Sequence, residues 1–214
     1  MFQQVVVKYF IMFLKITLAT ALLVFVAVQT YAAMSRDTTP SQPYRIVEQI
    51  GDLQIRYYPP AVTATVHKSG AYRDRMNAGF RDLASYIFGG NERQESIAMT
   101  TPVISVPDTA GGADISFVMP EDFDFDKRPA PTRARNIQFR RTEPAYTASI
   151  EFGGFAGESK MQEQSEALFA ALQRAGLRPR GTVRHLYYNA PFDLFDRRNE
   201  VLVELEGYPA DRGK

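Results

Sequence analysis

The side chains able to ligate, transfer protons or attack are few here, and their types narrow the chemistry quickly. The sequence holds two histidines, His67 and His185, and no cysteine. A three-histidine or thiolate metal site is thereby excluded, as are disulfides and covalent attachment of a cofactor through a Cys-x-x-Cys-His motif. His67 ends one alternating apolar–polar run, and His185 lies in another with Val183, Leu186 and Tyr187. Alternation groups His185 with Val183 and Tyr187 but leaves open which face of the strand is inward. Histidines this isolated are either metal ligands or, more commonly, surface or hydrogen-bonded core residues. Asp122, Asp124 and Asp126 imitate the start of a calcium loop, but Lys127 stands where that loop needs glycine and Arg133 where it needs a bidentate glutamate. A solvated loop fits this stretch better. No nucleophile elbow, phosphate loop, His-Glu-x-x-His or dinucleotide fingerprint occurs.

Two other groupings carry more. Ile97-Ala-Met-Thr-Thr-Pro-Val103 and Phe117-Val-Met-Pro120 set Met99 and Met119 beside prolines. Thioethers there give soft, adaptable surface to an apolar ligand, or simply fill gaps in a core. Arg197-Arg-Asn-Glu-Val201 places two adjacent guanidinium groups, Arg197 and Arg198, where they can hold carboxylates or pair with nearby acids. Glu200 beside them is, with Tyr57 and His67, one of three candidates for an acid, base or redox ligand.

The elements that must position these residues come in two copies. Gln54-Ile-Arg-Tyr-Tyr-Pro-Pro-Ala-Val-Thr-Ala-Thr-Val66 aligns without a gap on Gln138-Phe-Arg-Arg-Thr-Glu-Pro-Ala-Tyr-Thr-Ala-Ser-Ile150, and Gly70 falls on Gly154. In the first copy Val62, Ala64 and Val66 alternate with threonines as in a half-buried strand. Tyr72, Met76, Phe80, Leu83 and Ile87 then recur at helical spacing, stopped by Gly89-Gly90-Asn91. Met161, Leu168, Phe169 and Leu172 mark the second copy's helix, ended near Gly176 and Pro179. Strand-like runs follow each helix: 103–106 and 115–119, then 182–188 and 200–206. Strand, helix, strand, strand, repeated, predicts an α+β fold of antiparallel strands curled into a barrel-like body with pseudo-twofold symmetry, helices outside. A cleft between repeats is a usual place for an apolar ligand.

The first 34 residues stand apart. They contain no acidic group, and Lys8 and Lys15 precede the run from Ile16 to Val28, apolar but for Thr17 and Thr20. That layout predicts a signal peptide, or a retained transmembrane anchor over Tyr9–Val28 with Lys15 reaching toward the headgroups. In both cases the lysines stay cytoplasmic, and the domain is secreted or membrane-anchored on the other side, the periplasm if the cell is Gram-negative. Residues 35–43, rich in Ser, Thr and Pro, read as a linker, 44–208 as the folded domain (repeats about 44–120 and 136–206), and 209–214 as a tail. Lys and Arg total 25 against 24 Asp and Glu, and removing the two leader lysines leaves 23 against 24. That balance gives no footprint for nucleic acid.

Met-Thr-Thr-Pro-Val at 99–103, Tyr188-Asn-Ala-Pro191, Arg-Arg-Asn-Glu-Val at 197–201 and the extended Tyr-rich stretch 44–60 together resemble the SOUL haem-binding family over roughly 44–206. The resemblance implies two pseudo-symmetric βαββ repeats forming a distorted barrel flanked by two helices. It implies non-covalent binding of haem or a related tetrapyrrole, with the first repeat's helix at the pocket. On that analogy Tyr57 stands where some relatives carry a histidine iron ligand, and His67 is the other candidate for the iron. Phe80 and Ala84, with Met76 one turn earlier, replace pocket methionines, and Asp193 replaces a lysine. Met76, Phe80 and Leu83 would supply apolar surface beside Met99 and Met119, while Arg75, Arg197 and Arg198 would meet the propionates. The chain is then expected to be a monomeric carrier, buffer or sensor without catalysis. An enzyme acting on a tetrapyrrole, and an effector-binding module for another apolar ligand, are the competing expectations.

Overall fold

The computed structural model describes residues 2–132, 136–190 and 192–208. Arg133 of the calcium-like stretch, Pro191 of the Tyr-Asn-Ala-Pro motif and the 209–214 tail lie outside them. Helix α1 (Phe2–Thr38) is continuous. No glycine or proline precedes Pro40, so nothing breaks the helix at the expected linker, and 35–38 prolong it. This helix and Asn189–Phe195 make one compact unit, and the rest of the chain from Thr39 makes a second.

The second unit is built from β1 (Arg45–Ile50), β2 (Leu53–Tyr58), β3 (Val62–Ser69), α2 (Tyr72–Ile87), β4 (Val103–Pro107), β5 (Gly112–Val118), β6 (Gln138–Arg141), β7 (Ala145–Gly153), α3 (Glu158–Ala175), β8 (Pro179–Tyr187) and β9 (Arg198–Leu205). The nine strands form one sheet in the order β1-β2-β7-β9-β8-β4-β5-β3-β6. Its pairings are all antiparallel. Leave out β1, exchange the repeats, and the order reads the same backwards, with the pseudo-twofold between β8 and β4. The registers agree: Gln54 opposes Ser149 in β2–β7, and Gln138 opposes Thr65, the counterpart of Ser149, in β3–β6. Each repeat therefore lends its first strand to the other's half. The sheet does not close. The four-residue β6 pairs only with β3, and β1, which has no counterpart in the other repeat, covers the opposite edge. The expected barrel is thus an open curled sheet with helices on one face.

α2 packs on β3 and β5, and α3 on β7, β9, β8 and β2. Two cores lie beneath them: Ala64, Val66, Leu83, Tyr86, Ile87 and Ile115 under α2; Leu53, Ile55, Met161, Leu168, Leu172 and Val201 under α3. The opposite face carries a third cluster of Tyr58, Ile104, Val118, Leu186, Tyr188 and Leu202. The buried line of α2 is Arg75, Gly79, Leu83, Tyr86 and Ile87; of the stripe read from the sequence it keeps Leu83 and Ile87 and turns Tyr72, Met76 and Phe80 to the flank. Gly79 explains the rotation. Lacking a side chain, it lets the helix come so close that a Cβ would lie 2.9 Å from three side-chain carbons of Ile115. Met76 and Phe80 are left half-buried along the flank. The helix ends where Gly89 takes φ 93° and the buried Asn91 side chain donates to the Tyr86 and Glu95 carbonyls at 3.0 and 2.7 Å. In α3, Gly176 adopts φ 65° and Leu177 N–H returns to the Leu172 carbonyl at 3.0 Å.

Gly79→Ala should destabilise the domain even though alanine is the better helix former by about 1 kcal/mol, because overpacking a rigid β-branched neighbour costs about 1–3 kcal/mol. A lower urea midpoint at unchanged m-value is the expected reading.

Candidate functional site

An opening of about 880 Å³ lies not against α2 but at the end of the sheet where β2 turns into β3 and β5 runs out. Its walls are Pro40–Pro43, Pro59–Val62, Ala98, Thr100 and the stretch from Val118 to Phe123, with Arg141 at the rim. The Met99-Thr-Thr-Pro motif fastens this wall together. Thr100 Oγ1 donates to the Val118 carbonyl at 2.5 Å, Thr101 N–H donates to the Pro40 carbonyl at 2.8 Å, and Gln42 N–H donates to the Thr101 carbonyl at 2.8 Å. Met119 N–H closes onto the Val62 carbonyl at 2.8 Å. Prolines dominate the lining because the chain enters and leaves in extended segments that need no ladder hydrogen bonds. The cleft is mainly apolar, and its size is in the range of small-molecule and cofactor sites.

The expected site residues disperse around this cleft. Met119 lines it, and Met99, between two lining residues, packs half-buried on the α2 core. Met76, Phe80 and Ala84 also border that core, Phe80 meeting Phe117 edge-on with centroids 5.4 Å apart, but none of them lines the opening. Leu83 is wholly buried under the helix and presents nothing to a ligand. Arg75 is spent on the Gly70 and Gly111 carbonyls and on Glu158, at 2.6 Å. Arg197 stacks on Phe155. Tyr57 lies in the other half of the sheet, beside Tyr146 and Arg45, because β2 pairs with β7 and packs toward α3. His67 is exposed on the side of β3 away from the α2 core, bonded through Nδ1 to Asp114 at 2.9 Å with Asp108 3.6 Å from Nε2. Neither candidate iron ligand reaches the cleft.

What sequence reading missed is a buried polar centre on the helix-free face. Arg56, Glu200 and Tyr58 sit there, the first two fully inaccessible. Arg56 donates twice to Glu200, at 2.5 and 3.2 Å, and Arg198 donates twice to the same carboxylate, at 3.1 and 2.5 Å. Tyr44 stacks on Arg56 and Tyr188 on Arg198, ring centroids 4.2 and 4.1 Å from the guanidinium carbons. Burial alone would lower the Arg56 pKa, but the hydrogen bond and charge of Glu200 outweigh it and hold the guanidinium above its usual value. Burial pushes the Tyr58 phenol up to about 12 despite the nearby Arg56 charge. Glu200, one of the three acid, base or redox candidates by sequence, is thus held by two guanidinium groups in the interior. The available signal was the Gln-x-Arg shared by both repeats: Arg56 and Arg140 each bond to the glutamine two residues before them, but only Arg56 lies on an inner strand, covered by β1. A smaller groove of about 300 Å³ borders this centre, lined in part by Ile104, Leu186, Arg184 and Glu204.

His185 faces α3. Ser165 Oγ donates to the Met161 carbonyl, so at 3.2 Å from His185 Nε2 it accepts from the ring. Burial first, then the Arg75 charge, lowers the imidazole pKa to about 4 against the opposing pull of Glu158. The Asp124 carboxylate caps the backbone N–H of Asp126 and Lys127, and no cluster among the described residues has the side chains for a metal ion.

Two predictions follow from these centres. Arg56→Met should cost about 3–5 kcal/mol by leaving Glu200 under-compensated, whereas Arg56→Met with Glu200→Leu should recover part of it. Urea denaturation of both singles and the double closes the cycle. For His185, the unfolded chain takes up a proton below about pH 6.5 and the folded one only near pH 4. Stability is therefore full above pH 6.5 and declines as pH falls to 4, by on the order of 3 kcal/mol from this residue. His185→Phe should flatten the pH 5–6.5 part of a stability–pH profile.

The profile of the SOUL heme-binding protein family matches residues 39–204. Heme-binding protein 2 of Homo sapiens is 33% identical over 170 residues, which cover 75% of this chain and 82% of that protein. Heme-binding protein 2 of Mus musculus is 30% identical over 184 residues, covering 80% and 87%. Among solved structures, the EcmrR C-terminal domain superposes with TM-score 0.56 at 11% identity, covering 77% of this chain and 99% of its own. A hydrolase from Listeria innocua gives 0.52 at 10%, covering 81% and 97%. At such identity these two share the fold alone.

Proposed function

The chain belongs to the SOUL heme-binding protein family, and from that premise we propose that its domain binds haem or a related tetrapyrrole non-covalently in the proline-walled cleft. The observation that carries this reading is the cleft itself, about 880 Å³ and mainly apolar. Pro43, Val62, Val118, Met119 and Phe123 would hold the macrocycle, and burial of its apolar faces, at about 25 cal/mol per Å², supplies affinity without an iron bond. No histidine or tyrosine lines the cleft, and Met119 offers the one thioether. Glu121 and Asp122 would repel a propionate along one rim, and Arg141, 3.0 Å from Asp126, is the lining cation that would hold one. Haem brings the iron and its redox chemistry when bound; this chain's residues enclose it and keep water from its faces.

Binding rather than turnover is supported by the dispersal of Tyr57, His67 and Glu200 and by the double arginine clamp on Glu200. A carrier or buffer needs a ligand that can leave, and apolar enclosure without a metal bond permits that. The proposed setting is outside the cytoplasm, held by a retained α1. Val7–Arg36 has mean hydropathy 2.5 and no buried residue in its apolar window. Its hydroxyls are hidden as a bilayer requires: Thr17, Thr20 and Thr30 each bond the carbonyl four residues back at 2.9 Å. Lys8 and Lys15 favour a cytoplasmic N-terminus.

Titrating the protein with hemin should give a Soret band saturating near one equivalent. Ala98→Asp, an exposed change on the cleft wall, should weaken binding at least about tenfold, or 1.4 kcal/mol, while Phe80→Ser on the α2 flank leaves it unchanged. An unaltered hemin spectrum sinks the binding reading. Loss with Phe80→Ser but not with Ala98→Asp moves the site to the helix.

A further inference from the structure

We infer that residues 192–195 form a second membrane contact, an apolar wedge clipped to the exit end of α1 and seated in the headgroup region of a phospholipid bilayer; this rests on the retained-anchor reading above. Phe192, Leu194 and Phe195 are 45, 41 and 58% exposed, three large apolar side chains within four residues. Water offers no reason for such a grouping.

Attachment to α1 supplies the reason. Gln29 holds the loop with both ends of its amide: Nε2 donates to the Phe192 carbonyl at 3.0 Å, and Oε1 accepts from Leu194 N–H at 3.1 Å. Arg36 donates to the Phe195 carbonyl at 3.3 Å, and its guanidinium lies 3.6 Å from Asp193. Asp193 in turn accepts from Phe195 N–H at 3.3 Å and from Asn189 Nδ2 at 2.6 Å. A loop in water can leave its backbone groups to solvent, whereas a loop entering the interface must satisfy them within the protein. Here four of them are engaged by side chains and a fifth, Asp193 N–H, by the Ala190 carbonyl at 3.1 Å.

Depth agrees. A hydrocarbon core about 30 Å thick takes about 20 helical residues, which Tyr9–Val28 supply. Gln29 then stands at the boundary, the exposed Tyr31 in the aromatic belt and Arg36 about 10 Å further out among the headgroups. The loop is fixed between those two levels, so its apolar side chains meet the same bilayer that surrounds the helix.

The chain has no cysteine, so Leu22→Cys, Phe155→Cys and Phe195→Cys each give the full-length protein one site for a nitrobenzoxadiazole label. Each is reconstituted in phosphatidylcholine vesicles carrying spin-labelled lipid, either at the headgroup or deep in the acyl chain. The label at 195 should be quenched by the headgroup spin roughly twofold or more beyond that at 155, an exposed control on the folded domain. Adding Gln29→Ala should bring 195 down toward 155. If 22 escapes the deep spin label, the anchor reading fails and takes this inference with it. If 22 is quenched while 195 behaves like 155, the wedge alone is overturned. Shielding of 195 in lipid-free detergent that grows with protein concentration would assign the patch to a second copy, and also overturn it.

Discussion

Strand exchange between the two repeats is the constraint from which the rest follows. Gln54–Tyr58 pairs with β7 of the second repeat, and Gln138–Arg141 pairs with β3 of the first, so neither half has a complete sheet without the other. The exchange also sets which side chains can meet. Arg56 travels with β2 into the second half and there finds Glu200 on the far side of β7, a buried pair whose partners lie 144 residues apart in sequence. A buried carboxylate with a single weak partner would be costly, and this one has four donors from two guanidinium groups. A tyrosine ring lies over each guanidinium, Tyr44 on Arg56 and Tyr188 on Arg198, and adds a cation–π contact to each arm of the clamp.

One sheet face is given to helices and the other to this polar centre and its small apolar cluster. That division explains why the ligand-sized space lies at the sheet's end. Under α2 the approach allowed by Gly79 closes the interface, with Leu83, Tyr86 and Ile87 filling it. On the opposite face the groove beside Ile104 and Leu186 is about 300 Å³. Where β2 turns into β3 the prolines keep backbone from being drawn into the ladder, and the Pro40–Pro43 segment, bridged to Thr101 at Ser41, stands off as a wall. The Met-Thr-Thr-Pro motif therefore contributes through its threonines and backbone, which fix that wall, as much as through its methionine.

Duplication was legible because it is a statement about spacing. The gapless alignment of 54–66 on 138–150 carries over to the observed registers residue for residue, and the glycine stops after both helices are where the chain turns. Strand partnership was not legible, since periodicity identifies a strand without naming its neighbour. Tyr57 was a candidate iron ligand through the family resemblance alone, and the structure puts β2 in the half of the sheet under α3. The helical face was misread by a fraction of a turn because glycine counts as neutral in a hydrophobic pattern, while here it is the contact point. His185 shows the same limit: alternation gave its companions, Val183 and Tyr187, and only the placement of α3 decided that they face inward.

Where the two histidines lie bears on the kind of binding proposed for this scaffold. Both histidines are committed elsewhere, His67 to two aspartates in solvent and His185 to Ser165 under α3. Moving either to the proline-walled cleft would require breaking the sheet that carries it. In the proposed site affinity would come from enclosure, which depends on how well Val62, Val118, Met119 and Phe123 cover a flat surface and little on a metal at its centre. A site of the proposed kind would discriminate by shape rather than by oxidation state, and its ligand would leave when a wall opens rather than when a coordinate bond breaks. In that proposal the wall to open would be the Pro40–Pro43 segment, held at Thr101 by two backbone hydrogen bonds of 2.8 Å. Loosening two such bonds costs far less than separating strands of the ladder, so ligand exchange and the integrity of the sheet are separable properties of this fold.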